Sequence, residues 1–146
     1  MTRDINNTIN CTNSKLRKAT RLLAQAYDSA LKPLGLKSTQ FTLLATLRTM
    51  GNPPLTRLAE TLVMDRTTLT RNLKPLINKG LIKLCSEDDR RVKLIQLTPA
   101  GIRLIGEAIP HWQAVQSRVV GQLGEERWGQ LLDDLDIAID VIQGGQ

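Results

Sequence analysis

The sequence predicts a mainly α chain with one small β-hairpin wing: a winged helix-turn-helix unit joined to a helical dimerisation region. Three observations carry this expectation. Apolar residues recur at spacings of three, four and seven along most of the chain. A short helix, a tight turn and a second helix with a basic outer side fit residues 56–79. Two apolar-rich stretches, 81–85 and 92–97, then flank Ser86-Glu87-Asp88-Asp89-Arg90-Arg91, which is too charged to bury. At 146 residues the chain has the length of one domain. Within it, 36–98 reads as the winged unit, and 1–35 with 99–146 as the helical dimerisation part.

Residues 14–34 read as the first helix, because Leu16, Leu23, Ala26, Tyr27, Ala30 and Leu34 share one stripe while Arg17, Lys18, Arg21 and Lys32 fall mostly off it. Pro33 and Gly35 stop it. Ser38 is the expected N-cap of a second helix with Phe41, Leu44, Ala45 and Leu47 inside, ended by Gly51-Asn52-Pro53-Pro54. Thr56 is the expected cap of a short helix, 57–62, whose Leu58, Ala59 and Leu62 face inward. Asp65 caps the next helix, which runs to about Lys79, and its carboxylate suits the positive helix end. There Leu69, Leu73, Leu76 and Ile77 share one side, and Thr67, Thr68, Arg71 and Lys74 point away from it. Pro75 removes one hydrogen bond and favours a bend. Gly80 ends the helix and the hairpin follows, an order of elements that makes a winged helix suited to reading DNA.

Thr98 as cap and Pro99 at the first helical position open a long helix with Ile102, Ile105, Ile109, Trp112, Val115 and Val119 on one stripe and a kink expected at Pro110. After 121–124, a last helix carries Trp128, Leu131, Leu132, Leu135, Ala138, Ile139 and Ile142 on one side and Asp133, Asp134, Asp136 and Asp140 on the other. The terminal helices hold more apolar surface than a compact winged unit covers, so a second copy is expected to pack against them.

The net charge of +6 is unevenly spread: +6 over residues 1–50, +4 over 51–98, +1 over 99–120 and −5 over 121–146. A basic front half suggests a polyanionic partner. The chain shows no stretch of the ~18–20 apolar residues that a membrane span needs, and no apolar secretory leader follows Met1, so the expected compartment is the cytoplasm. Two cysteines and one histidine make neither a disulfide framework nor an all-Cys/His zinc site, so neither metal nor cofactor is expected. No phosphate-cradling glycine loop and no nucleophile–base arrangement is present, so an enzyme is not expected.

Taken in order, Leu34-Gly35-Leu36, Gln40-Phe41, Leu44, Asp65-Arg66-Thr67-Thr68-Leu69-Thr70-Arg71-Asn72-Leu73, Lys79-Gly80-Leu81-Ile82, Asp88-Asp89-Arg90-Arg91 and Leu97-Thr98-Pro99-Ala100-Gly101 resemble the MarR family of bacterial transcriptional regulators over nearly the whole chain. The resemblance implies a homodimer built from the first and last helices. It also implies a recognition helix in the major groove and a wing in the minor groove of a palindromic operator in double-stranded DNA. Release by a small aromatic or phenolic effector, or by cysteine oxidation, is implied as well. Transferred to this chain, the DNA contacts are Thr67, Thr68, Arg71 and Lys74 on the helix and Asp89, Arg90 and Arg91 in the wing. Arginine can pair bidentately with guanine and favours a narrow minor groove; Asp89 would steady Arg91, and Arg90 would touch phosphate. The chain departs from many members in having Ser86 and Asp88 where they carry an acid and an arginine.

Tyr27, Phe41 and Trp112 are packing aromatics that also stand as candidate lining of an effector pocket. Cys11, at the start of the first helix near Lys15, Arg17 and Lys18, is the candidate redox residue, since helix starts and cations favour thiolate. The OhrR branch of the family senses peroxide with a cysteine in this region, but its neighbouring tyrosines have no counterpart here beyond Tyr27. Cys85 reads as structural. The expected function is a repressor released by a small ligand. The alternatives are a thiol-based redox regulator using Cys11 and an architectural DNA-binding protein of low sequence preference.

Overall fold

A computed structural model describes residues 2–86 and 91–145. After a 3-10 turn at Thr8–Asn10 come α1 (Thr12–Leu31), α2 (Ser38–Met50), α3 (Leu55–Thr61), α4 (Arg66–Asn78), β1 (Ile82–Ser86), β2 (Lys93–Leu97), α5 (Pro99–Leu123) and α6 (Glu125–Gly144). The mainly helical architecture with one two-stranded antiparallel hairpin is the one the sequence predicts.

Helix α1 ends three residues before the expected Leu34, in a 3-10 turn at Lys32–Leu34. Pro33 has no N–H to continue the α-helical ladder, so the last turn tightens. Gly35 then takes a left-handed conformation (φ 66°), and the amides of Gly35 and Leu36 donate back to the carbonyls of Lys32 and Leu31.

At α2 the expected cap is displaced by one residue. Lys37 is the extended cap position and Ser38 is the first helical residue. The Ser38 amide donates to Asp28 Oδ1 of α1 at 2.6 Å, and the Lys37 amide donates to Gln40 Oε1 at 3.1 Å. A carboxylate from the neighbouring helix is the stronger acceptor, so it replaces the hydroxyl that local sequence suggested.

Helix α3 likewise starts earlier than expected: Pro54 occupies the cap position, Leu55 is already helical and Thr56 caps nothing. Proline's fixed φ suits this entry. The turn to α4 passes through Val63 at φ 51°, with the amides of Val63 and Met64 donating to Glu60 and Ala59. Asp65 caps α4 as expected, its Oδ1 accepting from the Thr68 amide at 2.8 Å. Leu69, Leu73 and Leu76 are buried, whereas Ile77, expected on the same side, is exposed because it falls a further 100° round the helix from Leu76. Gly80 (φ 70°) closes α4, with its amide and that of Leu81 returning to Ile77 and Leu76.

The hairpin pairs Ile82 with Leu97 and Ser86 with Lys93 at its described ends. Its β2 edge is anchored by the Ile95 amide, which donates to the Pro53 carbonyl at 2.9 Å. Thr98 caps α5 as expected, accepting from the Gly101 amide at 3.1 Å. Gly101 lies so close to Leu81 that a Cβ there would stand 2.1 Å from the Leu81 carbonyl oxygen. Turning Gly101 inward turns Ile102 outward, which corrects the expectation that Ile102 joins the inner stripe: it is 55% exposed, while Ile105, Ala108 and Val115 are buried.

One core results, built from Leu31, α2, α3, α4, the hairpin and the first half of α5. Helix α6 contributes no buried residue. No described helix is long and apolar enough to cross a membrane.

Candidate nucleic-acid interface

The residues singled out on α4 come together on its outer side. Thr67, Arg71 and Lys74 are exposed and, with Leu55, Arg66 and Thr70, line an open cleft of about 410 Å³. A second cleft of about 230 Å³, lined by Pro54, Leu55, Thr56, Arg66, Arg91, Val92 and Lys93, runs from the start of α3 to the start of β2 in the wing. Leu55 and Arg66 border both, so the two clefts form one surface carrying the cations Arg66, Arg71, Lys74, Arg91 and Lys93. The strand pairing to Pro53 holds the wing's root beside α3, which is what brings Arg91 within this surface.

Thr68 stands differently from its neighbours. Its amide and its hydroxyl both donate to the Asp65 carboxylate, at 2.8 Å each. These hydrogen bonds hold the Asp65 carboxyl below its ordinary value, so it remains an anionic cap. Thr68 is therefore engaged in fixing the helix start. Arg91 is exposed at the outer end of the described hairpin, just before β2, while Asp89 and Arg90 lie outside the described residues.

Among the residues on this surface that the sequence did not single out are Arg66, Thr70 and Lys93. The signal for the first two was present. At 100° per residue, Arg66 and Thr70 fall in the same arc as Thr67, Arg71 and Lys74. Lys93 is visible only once the strand register places it opposite Ser86.

The aromatic candidates sit elsewhere, where α1, α2 and α5 meet. Phe41 is buried and stacks on Trp112 with ring centroids 5.8 Å apart and planes 16° from parallel. The Tyr27 hydroxyl donates to Gln116 Oε1 at 2.5 Å, and partial burial raises the phenol's pKa above the ordinary value. Cys11 is exposed at the N-cap position of α1 and its side chain makes no capping hydrogen bond. Cys85 is half-buried, its thiol donating to Gln96 Oε1 at 3.4 Å. Among the described residues no cluster of His, Cys, Asp or Glu is arranged to hold a metal ion.

Against this geometry, comparison with known proteins is specific. The sequence model of the MarR family matches residues 36–93, which span α2 to the start of β2. The chain is 30% identical to the HTH-type transcriptional regulator PecS of Dickeya dadantii over 76% of its own length and 69% of that protein's. It is 32% identical to the HTH-type transcriptional regulator YwoH of Bacillus subtilis over 58% of its length, a match that spans 61% of that protein, less than two thirds. Among solved structures, the M. tuberculosis transcriptional regulator MosR in complex with DNA superposes with a TM-score of 0.86 at 34% identity, covering 94% of this chain and 99% of that one.

Proposed function

Because the chain belongs to the MarR family of transcriptional regulators, we propose that it is a sequence-specific repressor that binds a palindromic operator as a homodimer and leaves it when a small aromatic or phenolic effector binds. The observation that carries the DNA reading is the continuous basic surface joining α4 to the start of β2 in the wing through Arg66. Thr67, Arg71 and Lys74 project from a single helix, as major-groove reading requires. Arg91 and Lys93 extend the cations to the wing, and Asp89 and Arg90 belong to the same proposed contact. The related MosR was captured on DNA at an identity of 34%.

The dimer reading rests on exposed apolar side chains at both ends of the chain, such as Leu22 at 68% on α1 and Ile142 at 69% on α6. Residues 36–98 then serve DNA, and 1–35 with 99–146 serve association. An effector has its best entry where Phe41 and Trp112 meet, because a planar ring can part that stack and alter the angle between α2 and α5. Two recognition helices must dock about 34–36 Å apart, so a small change in that angle is enough to spoil binding.

Footprinting over the DNA flanking its own gene tests the proposal: a protected palindrome supports it, and even coating indicates an architectural protein. Light scattering is expected to give twice the 16.2 kDa chain mass. The exposure of Cys11 favours the rival release mechanism enough to test it directly. A Cys11→Ser protein that still leaves DNA with phenolic ligands, beside a wild type indifferent to peroxide, supports the ligand. Peroxide release of the wild type alone makes the thiol the switch.

A further inference from the structure

Where α4 ends, the wing begins and α5 starts, the backbone of all three meets at Thr98. Its hydroxyl donates to the Gly80 carbonyl at 2.6 Å and accepts from the Gly101 amide at 3.1 Å. Its own amide donates to the Leu81 carbonyl at 3.0 Å. That same carbonyl lies against Gly101 with no room for a side chain between them. Gly80 is the left-handed residue that terminates α4, and Gly101 lies in the first turn of α5. One side chain thus serves both as the N-cap of α5 and as a donor to the C-terminal end of α4. Beside it, the approach of Leu81 to Gly101 is backbone to backbone, with no flexible side chain there to absorb a change in angle.

We propose that Thr98 is a positioning residue: its hydroxyl, held between Gly80 and Gly101, fixes the angle of α4 against α5, so that α5 carries the DNA-facing side of α4. A helix joined only through apolar packing can slide or rotate by small amounts. A helix whose closing turn is tied to the start of the next one must follow it. This inference rests on the reading that α4 faces DNA, and it gives that reading its mechanical link to the dimerising helices.

Three variants separate capping from clamping. Thr98→Ser keeps donor and acceptor. Thr98→Asp keeps the capping acceptor for Gly101 but has no proton to give Gly80. Thr98→Val removes both. Duplexes recovered by the wild-type protein from a randomised pool, and a mixed-sequence duplex of the same length, serve as probes. In both Thr98→Val and Thr98→Asp, preference for the recovered duplex over the mixed one is expected to fall by up to about tenfold, the upper range for one hydrogen bond. Affinity for the mixed duplex stays close to wild type, and Thr98→Ser restores the preference. A loss equal on both duplexes, no loss at all, or a Thr98→Ser protein as poor as Thr98→Val overturns the proposal.

A DNA-free measurement keeps the clamp testable if no sequence is recovered from the pool, an outcome that refutes the DNA reading instead. Spin labels at Asn78→Cys on α4 and Arg118→Cys on α5, in a Cys11→Ser and Cys85→Ser background diluted with unlabelled chain, report the separation within one chain. One narrow distance for the wild type and Thr98→Ser, broadened in Thr98→Asp even if Thr98→Val does not fold, is expected. Equally narrow distances in all the folded variants overturn the proposal.

Discussion

Residues 36–98 and α6 use apolar side chains in opposite ways. The winged unit places Leu43, Leu44, Leu47, Leu58, Leu69, Leu73 and Leu76 almost wholly out of solvent, each on a helix that also presents polar residues outward. Helix α6 has a comparable supply of large apolar residues and buries none: Val141 is 66% exposed and Ile137 61%. Both regions are amphipathic in sequence, so amphipathicity alone does not build a core. The winged unit closes on itself because three helices and a hairpin, with Leu31 of α1 and the first half of α5 packed against them, surround a common interior. Along the last helix, Trp128, Gly129 and Leu135 are half-buried and the other described residues are exposed, so its outward stripe is where the proposed second copy would pack.

The largest test of this contrast compares one leucine from each region. Leu69→Ala is expected to cost about 2–5 kcal/mol in urea unfolding, because it removes a fully buried side chain and leaves a cavity. Leu132→Ala on α6 is expected to change the unfolding of dilute monomer by about 0.5 kcal/mol or less, as for an ordinary surface site. The same change is expected to weaken association at higher protein concentration. A Leu132 effect as large as that of Leu69 at all concentrations breaks the comparison, since it places α6 within the chain's own core.

A second test sharpens it within the winged unit, between residues that pack and residues that read. Arg71→Ala is expected to leave stability near wild type, to cost ~1–3 kcal/mol in operator binding and to relax preference at one base position per half-site. Arg66→Ala and Arg91→Ala are expected to weaken binding evenly across sequences and to lower the salt slope by about one per half-site each. Titrations against matched and mismatched duplexes at several salt concentrations separate the two patterns. Sequence-selective loss from Arg66→Ala reassigns that residue from phosphate to base contact.

Much of this division is legible in the sequence, and the exceptions have two causes. The helix order, the Asp65 and Thr98 caps, the Gly35 and Gly80 stops and the inner leucines follow from spacing and local chemistry. The early end of α1 at Pro33 and the Pro54 cap of α3 are local proline effects, whereas other misplaced features depend on a partner distant along the chain. Ser38 is not a cap because Asp28 from α1 supplies the acceptor, and Ile102 points outward because Gly101 must dock on Leu81. Lys93 joins the basic surface only through strand register. Local periodicity identifies which residues are apolar or basic; it does not identify which of them a distant backbone segment will turn.

A smaller effect is expected at the turn between α3 and α4. Val63 adopts φ 51° although it is β-branched and 61% exposed. Such a residue in the left-handed region carries a strain of order 1–3 kcal/mol, and its position, one residue beyond the C-cap of α3, is one that glycine favours. Val63→Gly removes the strain at some cost in unfolded-chain entropy, so a net gain of about 1 kcal/mol is expected from thermal or urea unfolding. Val63→Ala, which keeps a Cβ, is expected to gain less. A loss of stability in the glycine variant shows instead that the exposed valine is covered, and the cleft it shares with Met64 and Gln143 of α6 makes that helix the first place to look.

The smallest expected effect lies at the joint between the two regions. Asp28 belongs to α1, yet its carboxylate accepts from the first amide of α2, so it ties a flanking helix to the winged unit. The hydrogen bonds from Ser38 hold its carboxyl below the ordinary 3.8, with Lys37 adding a weaker pull and partial burial opposing. Because the folded carboxyl releases its proton more readily than the unfolded one, its stabilisation is complete above the ordinary value. It is lost as pH falls through the lower, folded value. Asp65 is displaced in the same direction, but its bonds stay within the first turn of α4. Asp28→Asn is therefore expected to flatten the decline of the urea midpoint on acidification and to loosen α1 against α2. Asp65→Asn flattens the same decline while disturbing α4 alone. Hydrogen exchange of the Ser38 amide distinguishes the two: faster in Asp28→Asn and unchanged in Asp65→Asn if Asp28 is the tie, equal in both if the two regions are coupled more broadly than through that single carboxylate.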